Sequence, residues 1–369
     1  MTTGKQLFTT LESDGTLTVE IAESTFPAPT GNQVLVQMEA APINPSDLAI
    51  LTGAADFENA EYSPGKVIAK MPEPFNTGSK SRHGQRLPAG NEGAGTVIAT
   101  GDSDMAKALM GQRVACVPGN AFSQYAIAEA TMCLPLGEHS SEVGASSFVN
   151  PMTALGFVEN AKMDGQKAIL HTVGASNLGL MLNRICQEDG IALVNIVRKA
   201  EQAELLKSQG AEWVVNSSDD DFMDQLRKAI DATDAFYGFD PIGGGQAVDA
   251  CFKAMEQVAM SKMTEYSRYG SDQAKRMFIY GRLDFGPTIL TPSYGFGWTL
   301  SGWLLTPFLA NAGMETVVRM RTRVLENLTT TFASSYKTKV NLEEMLTKNA
   351  ILDYRQMKTG EKYLVVPNG

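Results

Sequence analysis

The stretch Lys167–Gly179, KAILHTVGASNLG, reads as a short apolar strand, a glycine-bearing turn and the opening of a helix. A helix starting at Asn177 would leave its first-turn N–H groups without intrahelical partners, and its dipole would favour an anion there. This is the phosphate-cradling unit of dinucleotide-binding folds, with Gly174, Ala175, Ser176, Asn177 and Leu178 as the residues against a pyrophosphate. Ser176 stands where G-x-G-x-x-G has its middle glycine. Its Cβ narrows the approach to the backbone, while its hydroxyl offers a hydrogen bond. Taken alone, the turn is equally well explained as a strand–turn–helix that binds nothing.

The flanking sequence adds weight. Leu178, Met181, Leu182, Ile185 and Cys186 share one helical face, Gly190 supplies a stop, and Ile191–Val197 (IALVNIV) reads as a second strand. The unit is then strand–helix–strand with a right-handed parallel crossover. At the tip of the second strand, where an NAD-specific site carries an acid, the chain has Arg198 and Lys199. That pair suits the 2′-phosphate of NADPH. A pair of solvated charges at a helix entry is the alternative. Strand and helix patterns then alternate through Glu212–Asn216, Asp220–Ala232, Ala235–Asp240, Gly245–Ala259 and Met277–Gly281, as in a doubly wound parallel sheet.

The chain has 369 residues, enough for two domains. Its charged fraction is 20% and its formal charge −10, which argues against a nucleic-acid or anionic-membrane partner. No apolar run reaches membrane-spanning length and the opening MTTGKQLFTT lacks a signal-peptide core, so a soluble cytoplasmic protein is expected. Cys116, Cys133, Cys186 and Cys251 are scattered without C-x-x-C spacing and read as buried apolar fillers. His171, at the end of the first strand, reads as a hydrogen-bonded core residue.

Residues 1–140 read mainly as β, with Thr16–Ile21 and Gln33–Ala40 at strand length. Ala54–Arg86 carries Pro64, Pro72, Pro74, Gly65, Gly78 and Gly84 and reads as an inserted loop, either a lid or a solvated excursion.

APINPSDLAILTG at Ala41–Gly53, LPAGNEGAGTVIATG at Leu87–Gly101, GQRVACV at Gly111–Val117 and the turn-and-helix unit together resemble the medium-chain dehydrogenase/reductase superfamily, in its zinc-free quinone oxidoreductase and enoyl reductase branch. The resemblance spans nearly the whole chain. It implies an α/β protein with a GroES-like mainly-β catalytic domain over 1–140, completed by 312–369, and a Rossmann NADPH-binding domain over 141–311. In the zinc-dependent branch a cysteine precedes the S/T-D pair and a histidine precedes the glutamate; here those places hold Pro45 or Ser46, and Asn91. These side chains offer neither thiolate nor imidazole to a borderline-soft ion, so no metal is expected.

The resemblance also distributes roles. Asn44 and Asp47 of NPSD would structure the floor of the catalytic site, although NPSD could be only a capped helix start. Asn150 and Thr153 of NPMTA would lie near the nicotinamide, where a hydroxyl helps orient the carboxamide; an ordinary helix N-terminus is the alternative. Asn216, Tyr280 and Gly281 would line the cofactor, and Lys362 of MKTGEK, resembling a T-G-G-K close, would approach its phosphates or remain a surface charge. Enoyl reductases carry a tyrosine shortly after the S-D pair; that register holds alanines here, leaving Tyr62 as a distant proton-donor candidate. The apolar run SYGFGWTLSGWLLTPFL at Ser293–Leu309 would be a homodimer seam, or else an intrachain core strand.

The expected activity is hydride transfer from NADPH to a quinone or other conjugated carbonyl. Without a Lewis acid an already activated acceptor is the feasible substrate. Reduction of a 2-enoyl thioester or enal is the neighbouring alternative, and a catalytically weak NADPH-binding, crystallin-like protein is the alternative from another class.

Overall fold

The structure is a computed structural model that describes residues 1–360 and 362–369. It divides into two compact units, Met1–Val149 with Val324–Gly369, and Asn150–Arg323.

The first unit is built on two sheets. One has the strand order Asp56–Ser63, Lys66–Lys70, Thr16–Phe26, Thr2–Leu11, Arg86–Pro88. The other runs Leu134–Pro135, Arg113–Cys116, Gly93–Thr100, Gln33–Pro42, Tyr363–Val365, Thr338–Val340, with Tyr125–Glu129 also paired to Gln33–Pro42. Residues of alternating strand faces meet in one core that includes Leu7, Leu17, Val36, Met38, Val97, Val114 and Phe122. The C-terminal return belongs to this unit because Leu364 and Val365 pair antiparallel with Pro42 and Ala41. The expected last strand, Glu361–Pro367, is observed over Tyr363–Val365; Glu361 lies outside the described residues.

The reading of Ala54–Arg86 as an inserted loop is corrected. Asp56–Ser63 and Lys66–Lys70 form an antiparallel hairpin that adds to Thr16–Phe26 in the register Thr16↔Lys70 to Glu20↔Lys66. Gly65, at φ +68°, turns the hairpin. Phe57, Val67 and Ala69 are buried on the inner face while charged neighbours point outward, so this is a half-buried sheet rather than a solvated excursion.

The second unit is a six-stranded parallel sheet in the order Trp213–Asn216, Ala192–Val197, Ala168–His171, Tyr237–Asp240, Lys275–Ile279, Trp298–Gly302. In sequence order of its own strands this is 3-2-1-4-5-6, the doubly wound arrangement, whose switch point falls between Ala168–His171 and Tyr237–Asp240. The intervening helices are Asn177–Asp189, Ala200–Ser208, Phe222–Thr233 and Ala247–Ser261. The apolar run at 293–309 is not one strand. Only Trp298–Gly302 is extended, at the sheet edge, and the helix Leu305–Ala312 follows. Trp303 turns into the unit's interior, 4.8 Å centroid to centroid from Phe157, with its indole N–H on Asn160 Oδ1 at 2.9 Å. Among the described residues no helix is long and apolar enough to cross a membrane.

Candidate active site

In the parallel-sheet unit, Ala168–His171 is wholly buried and its chain emerges at the switch point. The helix Asn177–Asp189 has Ser176 as its N-cap, and the Ser176 hydroxyl accepts the Gly179 N–H at 3.0 Å. The serine that replaces a glycine therefore caps the helix and keeps its own O–H proton to offer. The two glycines are sterically required: a Cβ on Gly179 would sit 2.2 Å from Gly174 O, and one on Gly174 would sit 2.8 Å from the Asn195 side chain. Ala175 and Leu178 are buried beneath the turn.

Beside the turn, Asp240 accepts the Thr172 hydroxyl and the Gly243 N–H, the latter at 2.8 Å. Burial raises the Asp240 carboxyl above the usual carboxylate range. Arg198 and Lys199 are exposed at the tip of Ala192–Val197, and neither forms an ion pair among the described residues. Asn216 ends the adjacent strand, with its side-chain amide donating to Asp219 at 2.6 Å. Tyr280 and Gly281 follow Lys275–Ile279; the Tyr280 hydroxyl lies 2.7 Å from His171 Nε2, and the two rings stack. Burial holds His171 down to about 3, so its imidazole is neutral, as a core histidine should be. Asn150 and Thr153 are buried on the helix Val149–Met163.

The other unit contains a tighter polar cluster. Asn44 precedes the helix Pro45–Leu51, and Asp47 reaches back to accept the Asn44 N–H at 2.8 Å. The second Asp47 oxygen accepts the Asn91 N–H at 2.8 Å, which ties NPSD to the GNEGAG segment. Asn44 Nδ2 donates to Glu92 at 2.9 Å, and the other Glu92 oxygen accepts the N–H groups of Phe148 and Val149, each at 2.9 Å. Asn91 Nδ2 donates to Ser46 Oγ at 3.0 Å, so two of the residues weighed against zinc bond to each other.

Lys362, expected near the cofactor phosphates, has its ammonium on Ser146 Oγ at 2.7 Å, and Ser146 Oγ lies 2.8 Å from the Tyr336 hydroxyl. Burial pushes Asp47 up to about 7, with the Glu92 charge adding to the rise, and raises Glu92 as well. Burial also lowers Lys362 to about 8, against the opposing pull of Glu92 and Asp47. Tyr62 is not among the hydrogen-bonded partners of this cluster: its hydroxyl donates to Phe57 O at 2.7 Å within its own hairpin. The roles of Glu92, Ser146 and Tyr336 went unread in the sequence. Glu92 stands inside the GNEGAG motif, where only the preceding Asn91 bears on zinc, and Ser146 and Tyr336 carry no local pattern.

Residues 30–154 match the alcohol dehydrogenase GroES-like domain family. Among curated relatives, prostaglandin reductase-3 of Bos taurus is 25% identical over 229 residues, covering 61% of this chain and 54% of the relative. The mitochondrial enoyl-[acyl-carrier-protein] reductase of Homo sapiens is 28% identical over 218 residues, covering 54% of this chain and 49% of the relative. The chain thus spans about half the length of the curated relatives it matches. Among solved structures, a candidate NADPH:quinone reductase from Mesorhizobium loti is 27% identical and superposes with a TM-score of 0.75 over 100% of both chains. Escherichia coli quinone oxidoreductase complexed with NADPH shares the fold at a TM-score of 0.68, with 17% identity over 99% of this chain and 100% of that one. The GroES-like match, the 3-2-1-4-5-6 parallel sheet and the end-to-end superposition agree: the chain carries an alcohol dehydrogenase GroES-like domain and a doubly wound parallel-sheet unit, and it is similar throughout its length to a solved NADPH:quinone reductase of the medium-chain dehydrogenase/reductase kind.

Proposed function

We propose that the protein is a zinc-independent, NADPH-dependent oxidoreductase that reduces a quinone or another conjugated carbonyl. The observation that carries the cofactor choice is the exposed Arg198–Lys199 pair, without ion-pair partners among the described residues, at the strand tip beside the Ser176-capped turn. The residues fit the group. Gly174 and Gly179 have no room for a Cβ, which keeps the backbone low under a diphosphate, and the cations suit a 2′-phosphate. Bound NADPH supplies a hydride equivalent from its nicotinamide.

In this reading Gly174, Ala175, Ser176, Asn177 and Leu178 hold the diphosphate and Arg198 and Lys199 select NADPH. Asn216, Tyr280, Gly281, Asn150 and Thr153 line the remainder of the cofactor. The discontinuous unit is the catalytic domain, and Asn44 and Asp47 hold its floor rigid through Glu92 and Asn91. Asn91 and Ser46 offer no soft donor to zinc, so an activated acceptor rather than a simple alcohol fits the chemistry. The names of the relatives support the same class: one is a quinone oxidoreductase, others reduce enoyl thioesters or prostaglandins. We place the enzyme in the cytoplasm as a homodimer through the 293–309 region. Purified protein should consume NADPH with 1,2-naphthoquinone or with a short 2-enal; saturable NADPH binding with no consumption across both acceptor classes would overturn the reading.

A further inference from the structure

We infer that the parallel-sheet unit carries a second ligand site, for a small organic cation (an ammonium or guanidinium on a short apolar stem), at the end of the sheet opposite the cofactor turn. A cleft of about 320 Å³ lies where the helix Asn177–Asp189 ends and the strands Ala192–Val197 and Trp213–Asn216 begin. That volume is at the low end of the range for small-molecule sites, about 300–1,000 Å³. All of its walls come from residues 183–213, within one compact unit. Arg198 and Lys199 stand at the other end of Ala192–Val197, so the length of that strand separates the cleft from the proposed 2′-phosphate site.

The side-chain amides and loop N–H groups at the cleft are already used. Asn183 lines it at 2% exposure, gives its Nδ2 to Gln209 O at 3.4 Å and accepts Asn195 Nδ2 on its Oδ1 at 3.4 Å. Gln187 gives its Nε2 to the same Gln209 O at 2.9 Å. The N–H groups of Gly190 and Ile191 go to Cys186 O, that of Ala192 to Lys167 O, that of Gly210 to Lys207 O and that of Ala211 to Leu206 O.

Acceptors are left over. The carbonyl ends of the helices Asn177–Asp189 and Ala200–Ser208 meet here, tied by the Gln187–Gln209 bond, and their dipoles favour a positive charge. Gln187 Oε1 has no hydrogen-bond donor among the described residues, and it lies so near Gly210 that a Cβ there would be 3.2 Å away. Beside the cleft, Gln209 Oε1 is buried and also without a donor among the described residues. Such acceptors call for an N–H. Glu212 is exposed and forms no ion pair among the described residues, whereas Glu188 and Asp189 are committed to Arg323, and Asp189 to Lys162 as well. Lys207, in the last turn of the second helix, is engaged by Glu204 at 3.2 Å. An anion would meet two carbonyl ends and a carboxylate.

Ile191, Leu193 and Trp213 supply the apolar part, and an indole is the strongest aromatic partner for a cation. Burial pushes the Cys186 thiol up, with Asp189 adding to the rise, so it is a neutral wall and not a nucleophile. The site is built for binding, not for reaction.

Titration of full-length protein with benzylammonium, benzyl alcohol and benzoate at constant ionic strength tests it. Benzylammonium should saturate at one per chain by calorimetry and change the tryptophan fluorescence, the alcohol should bind about 10-fold more weakly, and benzoate should not bind. Glu212→Gln, at an exposed position, should weaken benzylammonium about 10-fold. Trp213→Leu should weaken it about 5-fold and remove the fluorescence change. If Trp213→Leu fails to fold, Glu212→Gln decides. Saturating NADPH should leave the isotherm unmoved. No saturation by benzylammonium, equal binding of the alcohol, wild-type affinity in either folded variant, or displacement by NADPH overturns the site, and each leaves the reductase reading to its own test of NADPH consumption.

Discussion

At the residue scale, two charged groups carry the sharpest tests of the proposed cofactor and of the response to pH. Arg198 presents an exposed guanidinium at the strand tip. Hydrogen bonds to charged groups are worth about 1.5–3 kcal/mol, so Arg198→Asp should weaken NADPH by about 10- to 100-fold while barely changing NADH. Fluorescence titration with both nucleotides checks this; equal losses would remove the pair from cofactor selection. Asp47 is raised in the folded state to about 7, well above its value in an unfolded chain. Between about pH 4 and 7 the native protein then holds a proton that the unfolded chain has lost, so this group's contribution to stability falls as pH rises through that window. Melting temperatures across pH 4–8 should show that limb in wild type minus Asp47→Asn. At pH 5 the variant should be less stable by about 1–3 kcal/mol, since one oxygen cannot accept both the Asn44 and Asn91 N–H groups in the same geometry.

At the element scale, the hairpin Asp56–Lys70 is the clearest departure from the sequence reading. Its prolines and glycines suggested a loop, yet Pro64 and Gly65 occupy the hairpin turn and the flanking residues alternate. Val67 is fully buried against the first unit's core. Val67→Ala should therefore cost about 2 kcal/mol, read as a shift of the denaturation midpoint, whereas a solvated lid would tolerate the change silently. The turn at Val173–Gly179 was legible because its apolar run, glycines and amphipathic helix are all local. What was not legible there is that Ser176 caps its own helix, because a side chain's choice between a ligand and a backbone N–H depends on where the backbone turns.

At the scale of the whole molecule, Trp298–Gly302 closes the sheet with one edge unpaired among the described residues, and Phe296 and Leu304 flank it at 82% and 64% exposure. Such an edge is a hazard unless another strand covers it. Sedimentation should give a dimer mass for wild type and a monomer mass for a Phe296→Asp, Leu304→Asp double variant; a monomeric wild type would end the dimer proposal. Trp303, read within the same seam, is instead spoken for by Phe157 and Asn160.

The sequence by itself determined the doubly wound unit, the absence of soft donors at Ser46 and Asn91, and the cationic strand tip, because periodicity, residue chemistry and motif order are properties of short stretches. The tertiary structure alone decided which distant side chains meet. Asn44, Glu92, Ser146, Tyr336 and Lys362 are separated by up to 318 residues, and the pairing of Tyr363–Val365 with Gln33–Pro42 brings the C-terminal lysine back to the N-terminal carboxylates. Burial then sets their ionisation, and burial is a property of packing that no local pattern encodes.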